Sequence, residues 1–227
     1  MIVLVCLESP NPSRASCAAL SLARGLGPAA QIIAVSAGGP THGRWLDLAR
    51  QSGAHRILHI GDAILGHPDF LTLGMLLAEA ARYSGASLVL TGQSSDGEGQ
   101  GLVPAALAHN LHAPIMSRIE AVEVSQETAN AVVATTYADG RHVRFEVAMP
   151  VVLSVPPILW VLPGTDAATD ASQQAVESLT LSQLGLDQSR VVPRPDLLGT
   201  RVPATVGKAR PVSFDEAAAI LLRPTLA

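Results

Sequence analysis

The chain has 227 residues, enough for one large domain or one domain with a tail at the usual ~100–200 residues per domain. Hydrophobic residues make up 48% and charged residues 15%, which excludes global disorder, and 3% aromatics leave an aliphatic core. A net charge of −4 gives no basic stripe for nucleic acid, and Lys208, the sole lysine, leaves lysine-dependent chemistry one remote candidate.

Residues 2–7 form a continuous apolar run, as expected of a strand covered on both faces. The run is short, lacks a basic flank and is followed by Glu8, so it reads as a strand and not a signal peptide. Turn residues at 9–12 precede a helical stretch over 13–26, with Ala18, Leu20, Leu22 and Ala23 supplying apolar surface. Residues 31–35 make a second strand with an exit turn at 36–40, 44–52 a helix, and 56–60 a third strand. The spacing predicts a helix over 68–84, with Pro68 near its start, Leu71, Met75 and Ala78 along one side, and Gly85 as its stop. A fourth strand at 87–90, a glycine-rich loop at 91–101 and a short helix at 102–110 follow. This alternation predicts a doubly wound, mainly parallel α/β sheet of the Rossmann-like kind. Ligands of such sheets sit at the carboxyl ends of strands where strand order reverses, which selects the loops after strands one, two and four.

Beyond Pro114 the pattern becomes β-rich: residues 117–124, 129–137, 141–147 and 151–155 read as antiparallel strands extending the sheet, with an Asp139-Gly140 hairpin turn. Residues 1–156 would be the nucleotide-binding-type domain. Residues 157–227, rich in Pro, Gly, Asp, Gln and Ser, read as an extended arm ending in a short amphipathic helix at 213–222. Such an arm suits docking on a partner subunit or folding back on its own domain.

The segment Thr91-Gly92-Gln93-Ser94-Ser95-Asp96-Gly97-Glu98-Gly99-Gln100-Gly101 carries the most chemistry. Its glycines let backbone amides approach a ligand, and the following helix, opening at Leu102, offers free N–H groups suited to phosphate. Asp96 and Glu98 oppose a bare phosphate and suit a ribose hydroxyl, an adenine amine or a hard cation. The Lys-Ser/Thr of a P-loop is missing. The pattern alone leaves a nucleotide-binding loop and a plain surface turn both open. Elsewhere the signals are weak. Cys6 and Cys17 have no metal-ligand spacing and read as small buried hydrophobes. His55, His59, His109 and His112 read as structural, and Trp160 as an apolar anchor.

The run Val89-Leu90-Thr91-Gly92-Gln93-Ser94-Ser95-Asp96-Gly97-Glu98 resembles the strand and Gln-Ala/Ser-Ile-Asp-Gly/Asp-Asp loop of electron transfer flavoprotein β subunits. Residues 33–40, Ser52-Gly53-Ala54-His55-Arg56 and Met149-Pro150-Val151-Val152-Leu153-Ser154-Val155 are similar to further segments of that family, in the same order. The resemblance implies a heterodimer with an α subunit that holds most of the FAD. Such a heterodimer shuttles electrons from flavoprotein dehydrogenases to an acceptor, a quinone-reducing one among the options. It implies a non-enzymatic carrier, cytoplasmic, without membrane insertion or nucleic acid, with AMP as a candidate ligand of this chain. The family's nucleotide contacts would map to Leu7, Ser36, Ala37, Thr91, Gln93, Ser94, Ser95, Asp96, Gly97, Glu98, Gly99, Gln100, Gly101 and Leu102. Three departures stand out. Gln100-Gly101-Leu102 replaces the family's Asn-Gln-Thr, the segment between first strand and first helix is short, and residues 163–168 lack the docking leucine and lysine run. Against this stand a self-contained nucleotide-binding module similar to universal stress proteins, and a nucleotide-processing enzyme with Mg²⁺ on Asp96 and Glu98.

Overall fold

The computed structural model describes residues 1–8, 11–39, 41–62, 64–65, 68–94, 101–157 and 175–191. Seven strands form one parallel sheet: β1 (Ile2–Cys6), β2 (Gln31–Ala37), β3 (Arg56–Ile60), β4 (Leu88–Gly92), β5 (Ile115–Met116), β9 (Val151–Val155) and β10 (Val176–Leu179). Their spatial order is β10-β3-β2-β1-β4-β9-β5. A separate antiparallel sheet contains β6 (Ile119–Val124), β7 (Ala131–Ala138) and β8 (Arg141–Ala148), in that order.

The central strands are apolar because both faces are covered, and alternate side chains feed two cores. Val3, Val5, Ile32 and Ala34 pack with α1 (Arg14–Gly25), α2 (Arg44–Gln51) and the inner face of the antiparallel sheet. Leu4, Cys6, Ile33 and Val35 pack with α3 (Phe70–Ser84) and α4 (Val103–Leu111). Helices on both faces make the sheet doubly wound, as the alternation predicts.

The helix ends follow from short polar side chains and glycine. Ser13 caps α1 by accepting from the Ser16 amide at 3.1 Å. Asp69 caps α3, accepting from the Leu71 and Thr72 amides at 2.8 and 3.0 Å, and Gly85 ends it in the left-handed region at φ 68°. Gly74 sets the approach of α3 to α4, since a Cβ there would lie 2.5 Å from the Ala106 Cβ.

Three expectations change. Residues 151–155 extend the sheet in parallel, inserted between β4 and β5, while β6, β7 and β8 stand apart as their own sheet. On α3, Ala78 is buried but Leu71 is 48% exposed, so the apolar stripe drawn from spacing is rotated away from the face that packs. The third change concerns the expected arm. Residues 175–191 supply the edge strand β10 beside β3, and Leu179, Leu181, Leu184, Leu186 and Val191 are buried against α3 and α4's side of the sheet. An arm beginning at 157 therefore gives way, over these residues, to a piece of the main core. The helix expected at 213–222 and Trp160 lie outside the described residues.

Candidate functional site

Strand order reverses between β1 and β4: the chain leaves β1 through α1 toward β2, and returns from β3 through α3 to β4 on the other side. The crevice at their carboxyl ends is where a doubly wound sheet binds ligands. It is bordered by Leu7 and Glu8 after β1, by Gly92, Gln93 and Ser94 after β4, and by Gly101 and Leu102 at the start of α4.

Glycines make this geometry. A Cβ on Gly92 would lie 2.8 Å from the Ser16 nitrogen and 2.9 Å from its Oγ, so the end of β4 is pressed against the first turn of α1. Gly101 has φ 63°, and a Cβ there would sit 2.9 Å from the Gln93 carbonyl oxygen. Gln93 and Gly101 thus pinch the neck of the connecting loop. The Gln93 amide donates to the Val155 carbonyl at 2.9 Å, fixing that neck to β9.

The sequence-derived candidates divide. Gln93, Ser94, Gly101 and Leu102 lie at the crevice, and Leu102 is 40% exposed, opening α4 without a side-chain cap. Thr91 is buried, with its hydroxyl donating to the Gly92 carbonyl at 2.8 Å, and it stands in the sheet between Cys6 of β1 and Ser154 of β9. Leu7 is buried in the core on the α1 side, and its amide donates to the Val35 carbonyl at 2.8 Å. Ser36 and Ala37 stand one strand further away, on β2. The Ser36 side chain is fully buried, so it cannot reach solvent. Ser95, Asp96, Gly97, Glu98, Gly99 and Gln100 lie outside the described residues.

Sequence reasoning missed Glu8 and Ser13. The Ser13 amide donates to one Glu8 carboxylate oxygen at 2.9 Å, and the Ser13 hydroxyl donates to the other at 3.0 Å. The sequence did hold the signal, an acidic residue shortly before a Ser cap, but the intervening turn hid their meeting.

Other titratable groups stay structural. His59 is buried and stacked on Trp45 with ring centroids 5.7 Å apart. Burial lowers its pKa and so favours the neutral imidazole, partly offset by a hydrogen bond to the Gly39 backbone. Cys6 and Cys17 are both buried free thiols, and burial, then the Glu8 carboxylate, push the Cys6 thiol far up. Neither is an activated nucleophile. Among the described residues no group of three His, Cys, Asp or Glu side chains is placed to hold a metal ion, and no helix is long and apolar enough to cross a membrane.

Residues 3–184, covering the parallel sheet and the crevice, match the family described as "Electron transfer flavoprotein domain". The chain belongs to the electron transfer flavoprotein family. Within it, 94 residues are 33% identical to the electron transfer flavoprotein subunit beta of Chromohalobacter salexigens, covering 41% of this chain and 35% of that protein. The likeness is thus to the β type of subunit, over about a third of that relative's length.

Proposed function

We propose that this chain is the β subunit of an electron transfer flavoprotein, paired with an α subunit that holds most of the FAD. The pair shuttles electrons from flavoprotein dehydrogenases to an acceptor in the cytoplasm, and the chain performs no catalysis of its own. The observation carrying this reading is the family match over residues 3–184, which spans the whole parallel sheet through β10. FAD supplies the electron-accepting chemistry when bound in the pair. This chain's part is positional: its folded domain braces the flavin-bearing partner, and residues 192–227 act as the clasp.

AMP fits the crevice in part. The backbone at Gly92, Gln93, Ser94, Gly101 and Leu102 would hold it on the β4 side, with Asp96 and Glu98 as candidate acceptors for ribose or adenine. Ser36 and Ala37 would contribute through backbone alone. AMP in that place acts as a structural pin between loop and sheet.

The test is co-expression with a larger chain carrying an FAD-binding domain, followed by purification of the pair. A yellow one-to-one complex with a bound-flavin spectrum and stoichiometric AMP on denaturation is the expected result. A colourless chain that purifies alone and hydrolyses nucleotide would replace the carrier with the enzyme reading.

A further inference from the structure

The antiparallel sheet ends on β8, and the two sides of that strand differ. One side pairs with β7 at all eight positions without a register shift, whereas β6 pairs through a shift between Ile119 and Ala121. Among the described residues no strand lies on the other side. The Met149 amide donates to the Asn130 carbonyl at 2.9 Å, so odd-numbered residues turn their backbone groups toward β7. The N–H and C=O groups of His142, Arg144, Glu146 and Ala148 therefore point away from the sheet. β8 contains neither proline nor lysine, two common guards against edge pairing, and it carries charges of both signs. Arg144 meets Glu123 at 3.0 Å yet remains 61% exposed. Glu146 is exposed too, its carboxyl held below the ordinary range by hydrogen bonds from Ser125 and then Thr128. On the opposite face, Val143, Phe145 and Val147 lie in register with Thr136 and the buried Ala134 and Val132, and Phe145 is 44% exposed where the sheet stops.

We propose that β8 is a self-pairing edge: two copies of this chain join antiparallel along it, about a twofold axis through Phe145, into one continuous sheet. Outward-pointing backbone groups must meet outward-pointing groups, so the central registers place Arg144, Phe145 or Glu146 on the axis. Arg144 on the axis sets two guanidinium groups opposite each other, and Glu146 on the axis does the same with two carboxylates. Phe145 on the axis sets Arg144 of each copy opposite Glu146 of the other, Val143 opposite Val147, and the two Phe145 rings side by side. The charges on the edge thus select one register, and in that register the exposed ring gains an apolar cover. The interface is isologous, with each contact made twice. The inference does not depend on the electron-carrier reading, because it concerns only the pairing of this chain with itself.

The experiment measures the mass of the full-length chain over a concentration series by sedimentation equilibrium, for wild type, Arg144→Glu, Glu146→Arg and the double exchange. Wild type should rise with concentration from 23.5 kDa toward twice that mass. Each single exchange sets like charges opposite each other at both contacts and should weaken the dimer roughly tenfold or more. The double exchange restores opposite charges in this register alone, and should recover the wild-type association. Hydrogen exchange read by nitrogen-15 NMR should show the His142, Arg144 and Glu146 amides slowing as the dimer fills, with Val143 and Phe145 slow throughout. That readout on wild type decides if a single exchange fails to fold. A wild type that keeps the mass of one chain would overturn the proposal. So would a dimer that the single exchanges leave unchanged or that the double exchange fails to restore. If the three outward amides slow only in a co-expressed complex with a flavin-bearing chain, that chain occupies the edge and self-pairing falls.

Discussion

Gly92 shows how a residue can be legible in sequence while its purpose is not. Glycines after a buried strand signal close backbone approach, and the natural expectation is approach to a ligand. In the structure, Gly92 approaches α1 instead, and Gly101 approaches the Gln93 carbonyl. Glycine was needed at both places, but the neighbour was fixed by tertiary packing that no local pattern encodes. Gly92→Ala should therefore act on stability before it acts on any ligand. The added carbon falls within 3.0 Å of Ser16 and Ala15 atoms, one of them a backbone nitrogen that cannot swing aside. Overpacking of this kind costs about 1–3 kcal/mol. A urea melt should show a lower midpoint with little change in slope, and an unchanged midpoint would mean that α1 shifts freely on the sheet. The same logic explains the other candidates. Ser36 was expected in the exit turn after residue 35, yet it lies within β2 with its side chain buried, because a strand's alternation, not its residue chemistry, decides which face a serine takes.

At the scale of elements, the long periodic pieces were readable and the short ones were not. β1 and β2 declared themselves by uninterrupted apolar runs. β9 carries the same signature, Val151-Val152-Leu153-Ser154-Val155 buried at every position, yet its antiparallel neighbours in sequence masked its kinship with β1. β10 was invisible because Val176-Glu177-Ser178-Leu179 is short and half polar, as an edge strand with one open side allows. Its attachment relies on polar contacts as well as on packing. Glu177 accepts from the Arg56 guanidinium at 2.7 Å and from the Tyr83 hydroxyl at 2.7 Å. These two bonds, Arg56's the stronger, hold the Glu177 carboxyl below its ordinary value of 4.5. A carboxyl lowered in the folded state adds stability above its unfolded value, and that stability is lost as pH falls through the folded value. The Arg56–Glu177 pair is 37% exposed on each side, so its contribution is small, about 0.5–1 kcal/mol. Glu177→Gln should thus speed hydrogen exchange of the β10 and 180–186 amides at neutral pH. As pH falls below the lowered folded value, where the wild-type carboxyl is itself protonated, variant and wild type should converge. Equal exchange across that range would show that the leucines alone hold the edge.

For the whole molecule, the boundary of the domain decides what the carboxyl-terminal residues can do. Composition placed that boundary at 156, because prolines and polar residues crowd the remainder. Packing extends the domain to Val191, because β10, with Leu179 buried, forms one edge of the sheet and three leucines and a valine after it are buried too. Each such side chain contributes roughly 1.5–3 kcal/mol of transfer free energy, so removing all five approaches the whole net stability of a typical domain, about 5–15 kcal/mol. Two truncations therefore separate folding from partnership. Deleting residues 157–227 should leave a chain that is unfolded or aggregates, since the apolar faces of β3 and α3 lose their cover. Deleting residues 192–227 should leave the sheet and the crevice intact, with a thermal transition near that of the full chain, while the chain no longer co-purifies with the flavin-bearing partner proposed for it. Size-exclusion chromatography of the co-expressed pair reads this directly. If the chain cut after Val191 still forms a yellow one-to-one complex, the clasp is on the folded domain itself, and the exposed edge and outer face of the antiparallel sheet become the surface to mutate next.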